Sequence, residues 1–282
     1  MKIIECPRDA WQGFHPFIPT EKKIAYLNQL LKVGFDTIDF GSFVSPKAMP
    51  QVSDTAALLD GLQISETSAG LLAIVANERG AAEACQHAAI NSLGYPFSIS
   101  ETFQLRNTNA TIAESLDRVR CIADLCGTNR KELVIYISMG FGNPYGDPWN
   151  PEIVMEWVDR LSMLDIRTFA LSDTVGVAKT VDIDQLFTQL TPAYPQLEFG
   201  AHFHTSYESW RFKIDAAYQA GCRRFDGALF GYGGCPMAQD DLIGNMPTEK
   251  LIDFAAEKEE PLAINQVELQ KARLMFLELV EK

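Results

Sequence analysis

Eight short, largely apolar runs, each followed by a helical stretch, constrain this 282-residue chain more than any other feature. They span residues 3–6, 37–40, 71–76, 95–99, 133–138, 168–172, 197–204 and 224–230. They begin roughly 20 to 40 residues apart, the spacing of βα units. Most are continuous apolar runs rather than strict alternations, the pattern of parallel strands covered by helices. The helices carry their own punctuation. Thr20 is placed to cap a helix striped by Ile24, Leu27, Leu30 and Leu31, which Gly34 would close. Asn150-Pro151 reads as a cap followed by a first-turn proline, and the stretch 207–220 stops at Gly221. Eight βα units predict an α/β fold, a single (β/α)8 TIM barrel filling residues 1–282. Its core would occupy about 1–257, with a C-terminal helical extension at about 263–281. A doubly wound sheet could use similar units, but no GxGxxG follows the first run.

Composition narrows the function classes. Hydrophobic residues make up 47% and charged ones 22%, a balance that supports a packed core. The formal charge is −13, from 24 Lys plus Arg against 37 Asp plus Glu, and no basic patch interrupts it. Such a surface repels phosphate backbones, which argues against nucleic acid as a partner. No run is long enough for a membrane span, and the start lacks the apolar core of a signal peptide. The six cysteines have no CxxC or framework spacing and read as reduced thiols, so a cytoplasmic location is expected.

A barrel of this kind holds its chemistry at the C-terminal ends of its strands. The polar residues fall there. Arg8 and Asp9 follow the first run, Asp39 ends the second and Asp173 the sixth, while Cys235 and Asn245 follow the eighth. His202 and His204 end the seventh; on a strand, residues i and i+2 share a face, so both imidazoles can converge on one point. Each residue has a plainer reading: a buried hydrogen-bonded histidine, a turn-capping Asp173, a surface Arg8–Asp9 pair. Their placement on one rim favours a site. Asp9, His202, His204 and the amide oxygen of Asn245 would give a divalent metal two nitrogens and two oxygens, with positions left for substrate. That set suits Mg²⁺ or Mn²⁺ first, and also Co²⁺ or Zn²⁺. Asp39 and Asp173 could orient ligands or substrate, or take a proton. In the loop Gly231-Tyr232-Gly233-Gly234-Cys235-Pro236, glycines allow close backbone approach, and Cys235 beside a cation could donate a proton or act as nucleophile.

With these residues in place, the chain resembles the 3-hydroxy-3-methylglutaryl-CoA lyase family, metal-dependent barrel lyases related to Claisen-condensing synthases. The matching segments are Pro7-Arg8-Asp9 with Gln12, Ser42-Phe43-Val44-Ser45-Pro46-Lys47 with Pro50-Gln51, and Ser172-Asp173-Thr174-Val175-Gly176. They continue through His202-Phe203-His204, Gly233-Gly234-Cys235-Pro236-Met237-Ala238 and Gly244-Asn245-Met246-Pro247-Thr248-Glu249.

The resemblance implies a divalent metal on Asp9, His202, His204 and Asn245. It implies that Arg8 stabilises an enolate oxygen and that Cys235 serves proton transfer. Gln12, Tyr207, Gly233 and Gly234 would contact an acyl-CoA substrate. The reaction implied is retro-Claisen cleavage of 3-hydroxy-3-methylglutaryl-CoA to acetyl-CoA and acetoacetate, in a homodimer. Departures from the family pattern lie near the site. Asp39 stands where the family has Glu, Thr205-Ser206-Tyr207-Glu208 replaces Asp-Thr-Tyr-Gly, and Trp11 and Phe14 add bulk. They favour, as the alternative, a related lyase or condensing enzyme acting on another branched 3-hydroxy acid or acyl-CoA. A two-metal hydrolase would want further histidines, and only His15 and His87 remain. A Schiff-base aldolase would want a lysine at a central strand, and none is there. A barrel that only binds metal or ligand would need neither Arg8 nor Cys235.

Overall fold

In the computed structural model, which describes residues 1–234 and 243–280, the eight runs form parallel strands of one closed sheet. They are β1 (Lys2–Glu5), β2 (Thr37–Ser42), β3 (Gly70–Ile74), β4 (Ser92–Ser98), β5 (Glu132–Ser138), β6 (Thr168–Asp173), β7 (Glu198–Thr205) and β8 (Arg224–Gly227). Each pairs with its sequence neighbours, and β1 closes on β8 through Lys2 opposite Arg224 and Glu5 opposite Gly227. The fold is a TIM barrel. A ninth strand, β9 (Gly244–Asn245), runs antiparallel to β7 and sets Asn245 opposite His204.

The first helices are α1 (Pro7–Trp11), α2 (Thr20–Leu30), α3 (Thr55–Gly61), α4 (Glu78–Cys85), α5 (Glu101–Thr108) and α6 (Ile112–Asn129). The rest are α7 (Pro151–Ser162), α8 (Thr180–Ala193), α9 (Trp210–Gln219), α10 (Thr248–Glu257) and the C-terminal α11 (Gln266–Val280). Asn150 caps α7 as its sequence suggests, accepting from the Ile153 N–H at 2.8 Å. Thr20 does not cap α2. It is the first helical residue, behind Pro19, and its hydroxyl donates to Asp54 at 2.9 Å. Gly34 is left-handed (φ 95°) but lies beyond the helix end at Leu30. Helix α9 begins at Trp210 rather than 207, because Ser206 and Ser209 bond to each other in a preceding turn. Strand β8 stops at Gly227, short of 230, where Phe230 turns the chain at φ 60°.

The period of two along each strand sorts side chains into two cores. Leu72, Val134, Tyr136 and Ala170 pack inside the barrel. Ile38, Phe40, Phe169, Leu171, Phe199 and Phe203 face the helices. This parity decides the site. On β7 it turns Gly200, His202 and His204 inward; on β6 it turns Ser172 inward and Asp173 toward the helices.

Glu5, at the end of β1, is fully buried on the helix side, where it accepts from the Leu229 N–H at 3.0 Å and the Thr248 hydroxyl at 2.5 Å. Burial pushes its carboxyl up from an ordinary 4.5 to about 8. Between those values the unfolded chain loses a proton that the folded protein keeps. The stability Glu5 contributes is therefore present below pH 4.5 and lost as pH rises through about 8. Each pH unit in that window is worth up to about 1.4 kcal/mol. Urea midpoints at pH 5 and pH 8 are expected to differ less in Glu5→Gln than in the unmodified protein.

Candidate active site

The C-terminal mouth of the barrel opens into a cavity of about 440 Å³. Its lining includes Arg8, Asp9, Gln12, His202 and His204, the apolar Val44, Met49, Ile74 and Phe103, Tyr136 against His202, and polar residues such as Asn77, Arg106 and Asn109. Arg8 and Asp9 sit on the short helix α1, with Pro7 at its first turn. The helix fixes both side chains relative to β1. From it the Arg8 guanidinium forks across the site. Its Nε donates to Asp39 Oδ1 and Oδ2 at 3.2 and 3.1 Å and its Nη2 to Asp39 Oδ2 at 2.5 Å. Its Nη1 donates to Asp9 Oδ1 at 3.0 Å and to Gln12 Oε1 at 2.9 Å. Gln12 completes the frame through its amide, which donates to Asp9 Oδ1 and to the Gly234 carbonyl at 3.2 Å. Burial works against the charge on Arg8, but Asp39 and Asp9 outweigh it and raise its pKa above the ordinary value. Burial raises Asp39 to about 6 even against Arg8.

Asp9, His202 and His204 each bring a ligand atom within 4.8 Å of the others. His202 Nε2 lies 3.9 Å from Asp9 Oδ2. Each histidine spends its Nδ1 elsewhere: His202 on Asp226 at 3.2 Å, His204 on the Thr174 carbonyl at 2.7 Å. That leaves both Nε2 atoms facing Asp9. Asp9 Oδ2 and His204 Nε2 are buried and have no hydrogen-bond partner among the described residues. Two orphaned polar atoms aimed at one point, an anion and a neutral imidazole, fit a divalent cation. The protonation states of Asp9 and His204 agree, whereas His202, which burial would lower, is raised by Asp226 and Asp9. Burial would raise Asp9, but Arg8 and the two histidines hold it below the usual carboxylate range. Burial, with His202 adding to it, lowers His204, keeping the imidazole neutral as a ligand must be. Asn245, beside His204 through β9, donates its amide N–H to the Tyr232 carbonyl at 2.8 Å, and its side chain also hydrogen-bonds Asp9.

Gly233 makes this arrangement sterically feasible. It is left-handed (φ 97°), and a Cβ there would lie 2.5 Å from the Asp9 carbonyl and 2.6 Å from Asn245 Nδ2. Gly233→Ala is expected to weaken Mn²⁺ binding about tenfold or more, read by calorimetric titration.

The other sequence candidates fall differently. Asp173 faces the helix layer, not the cavity: Lys213 of α9 donates to it at 2.5 Å, and Asp173 Oδ1 accepts from the Ala178 N–H at 3.1 Å. The same Lys213 Nζ donates to the His204 carbonyl at 2.9 Å and the Gly176 carbonyl at 3.0 Å. Asp173 thus braces the end of β7 from behind, which is a different place from the rim position its sequence neighbours suggest. Tyr207 is 81% exposed and does not line the cavity. Cys235 lies outside the described residues. Asp226, Lys213 and Tyr136 escaped the sequence reading. Only Asp226 carried a signal, a carboxylate inside the buried run Arg224-Phe225-Asp226-Gly227.

The HMGL-like family model matches residues 2–275. The chain belongs to the HMGL-like family. A hydroxymethylglutaryl-CoA lyase of Bacillus subtilis is 31% identical over 246 residues, 87% of this chain and 81% of that protein. A Pseudomonas aeruginosa protein named 3-hydroxy-3-isohexenylglutaryl-CoA/hydroxy-methylglutaryl-CoA lyase is 30% identical over 254 residues, 89% of this chain and 83% of its own. Among solved structures, an HMG-CoA lyase from Acinetobacter baumannii in complex with coenzyme A and 3-methylmalate superposes with a TM-score of 0.90 at 31% identity. That superposition covers 99% of this chain and 90% of the other. This HMGL-like chain is a carbon–carbon lyase, and the family is divalent-metal dependent. No helix among the described residues is long and apolar enough to cross a membrane.

Proposed function

We propose that this HMGL-like protein cleaves 3-hydroxy-3-methylglutaryl-CoA to acetyl-CoA and acetoacetate with a divalent metal held by Asp9, His202, His204 and Asn245. The observation that carries the reading is the pair of orphaned buried atoms, Asp9 Oδ2 and His204 Nε2, beside a guanidinium already locked in place. A Mg²⁺ or Mn²⁺ held there would supply Lewis acidity to substrate oxygen. The hydroxyl proton passes to water in the open cavity, the oxygen becomes the ketone of acetoacetate, and the C2–C3 bond breaks with its electron pair leaving on the acetyl thioester. Arg8, fixed by Asp39, Asp9 and Gln12, donates to the enolate oxygen that develops there, and it needs no reorganisation to do so. Protonation of the enolate carbon yields acetyl-CoA, the step we assign to Cys235. Asp39 positions Arg8, and Asp173 works at one remove, through Lys213, on the backbone of β7. Gly233 and Gly234 set backbone against Asp9 and Gln12, the edge where the thioester would lie.

The test is product analysis after mixing protein, Mn²⁺ and substrate: equimolar acetyl-CoA and acetoacetate are expected, and neither in quantity from Cys235→Ala. Release unaffected in that variant would remove Cys235 from the scheme.

The apolar residues of the cavity support a second reading. Met49, Ile74, Phe103 and Tyr136 line the same cavity as Asp9, His202 and His204 and offer apolar surface to an alkyl group larger than methyl, as in a branched 3-hydroxyacyl-CoA. The name of the P. aeruginosa relative covers both kinds of substrate. If this reading holds, kcat/KM rises when the 3-methyl group is replaced by a longer alkyl chain; a fall restricts the enzyme to the methyl compound. The five described cysteines are free thiols, which supports action in a reducing cytosol, and a homodimer is the assembly that gel filtration should report.

A further inference from the structure

The ligand Nε2 of a histidine points where its Nδ1 bond lets it, so the acceptor behind each imidazole matters nearly as much as the imidazole. His204 rests on a backbone carbonyl, which the chain itself holds. His202 rests on a side chain, Asp226, which can rotate. What holds Asp226 is Arg224, two residues earlier on β8 and only 4% exposed. Its Nη1 donates to Asp226 Oδ1 at 3.0 Å, and Oδ2 is left for His202 at 3.2 Å. The carboxylate is thus split between one cation and one imidazole. Strand β7 makes room for this: Gly200 is the register partner of Arg224, and a Cβ at Gly200 would lie 2.7 Å from Arg224 Nη1. Toward the barrel floor, Glu198 Oε2 approaches Arg224 Nε at 3.7 Å, so a second carboxylate lies near the guanidinium.

We propose that Arg224, outside the ligand set, is a positioning residue that aims Asp226 at His202 and thereby sets the affinity for the metal. The inference rests on the metal site proposed above. It has a sign that simple electrostatics does not share. Removing a positive charge near a cation site should tighten cation binding by Coulomb's law. Releasing Asp226, and with it His202, should weaken binding; outer partners of metal-bound histidines are commonly worth 10- to 100-fold in affinity.

The experiment is Mn²⁺ titration of the full chain by calorimetry, for the unmodified protein, Arg224→Met, Arg224→Lys and Gly200→Ala. Arg224→Met is expected to raise Kd at least tenfold, with kcat at saturating Mn²⁺ changed far less. Arg224→Lys, which keeps a donor toward Asp226, is expected to recover part of the affinity. Gly200→Ala keeps the charge and pushes the guanidinium aside, so it too should weaken binding, and it decides the matter if Arg224→Met does not fold. Kd values within twofold of the unmodified protein, or tighter, in folded Arg224→Met or in Gly200→Ala would overturn the proposal. Absence of Mn²⁺ binding by the unmodified protein would instead overturn the metal site itself, and this inference with it.

Discussion

His204→Ala is expected to lower kcat/KM by about a thousandfold or more and to raise the Kd for Mn²⁺ at least as steeply. The residue is 3% exposed, and its Nε2 has no partner among the described residues, so no contact recorded at that atom accounts for the cost. A divalent ion contributes several kcal/mol of transition-state stabilisation, and each 1.4 kcal/mol is tenfold in rate, which gives about three decades. The loss should also be hard to rescue with more metal. The remaining set, Asp9, His202 and Asn245, is spread over α1, β7 and β9, and His204 is the member that faces Asn245 across the β7–β9 ladder. Steady-state rates over a range of Mn²⁺ concentrations check this; a variant that regains full rate at high Mn²⁺ would show that His204 tunes the site without being essential to it.

Arg8→Gln is expected to cost about a hundred- to a thousandfold in kcat, the usual effect of removing one preorganised donor from a developing oxyanion. It should also destabilise the fold by about 3–5 kcal/mol, since Asp39 and Asp9 would lose the cation that both share in a buried place. The two effects can be separated. In Arg8→Gln/Asp39→Asn one of the two unpaired carboxylates is gone, so part of the stability should return while the rate stays low. Stability and rate recovering together would mean that Arg8 serves the fold and not the reaction.

Much of the architecture is legible in the chain because strand chemistry is local. The β-branched runs became β1 to β8 within a few residues, and the HxH spacing alone put His202 and His204 on one face. The same rule read on β6 separates Ser172 from Asp173: with Phe169 and Leu171 facing the helices, Asp173 must face them too. What was hidden is what only folding brings together. Lys213 lies forty residues from Asp173 on an ordinary-looking helix, and nothing local marks it as the partner. Arg224 and Asp226 look like charges at a strand edge until closure of β8 on β1 and β7 puts them inside the barrel. The helical turn at Arg8-Asp9 was missed for a related reason. Five residues are too few for a periodic signal, and Pro7 at its start reads equally well as a turn.

The most direct test of the site is one titration read two ways. Metal-stripped protein is titrated with Mn²⁺, bound ion is followed by electron paramagnetic resonance, and acetyl-CoA release from 3-hydroxy-3-methylglutaryl-CoA is measured in the same samples. A single class of bound ion with release rising in proportion to its occupancy, both lost in His204→Ala, is the expected result. Full release from the metal-stripped protein, or none from protein with the site filled, would contradict a metal-dependent cleavage of this substrate at Asp9, His202, His204 and Asn245.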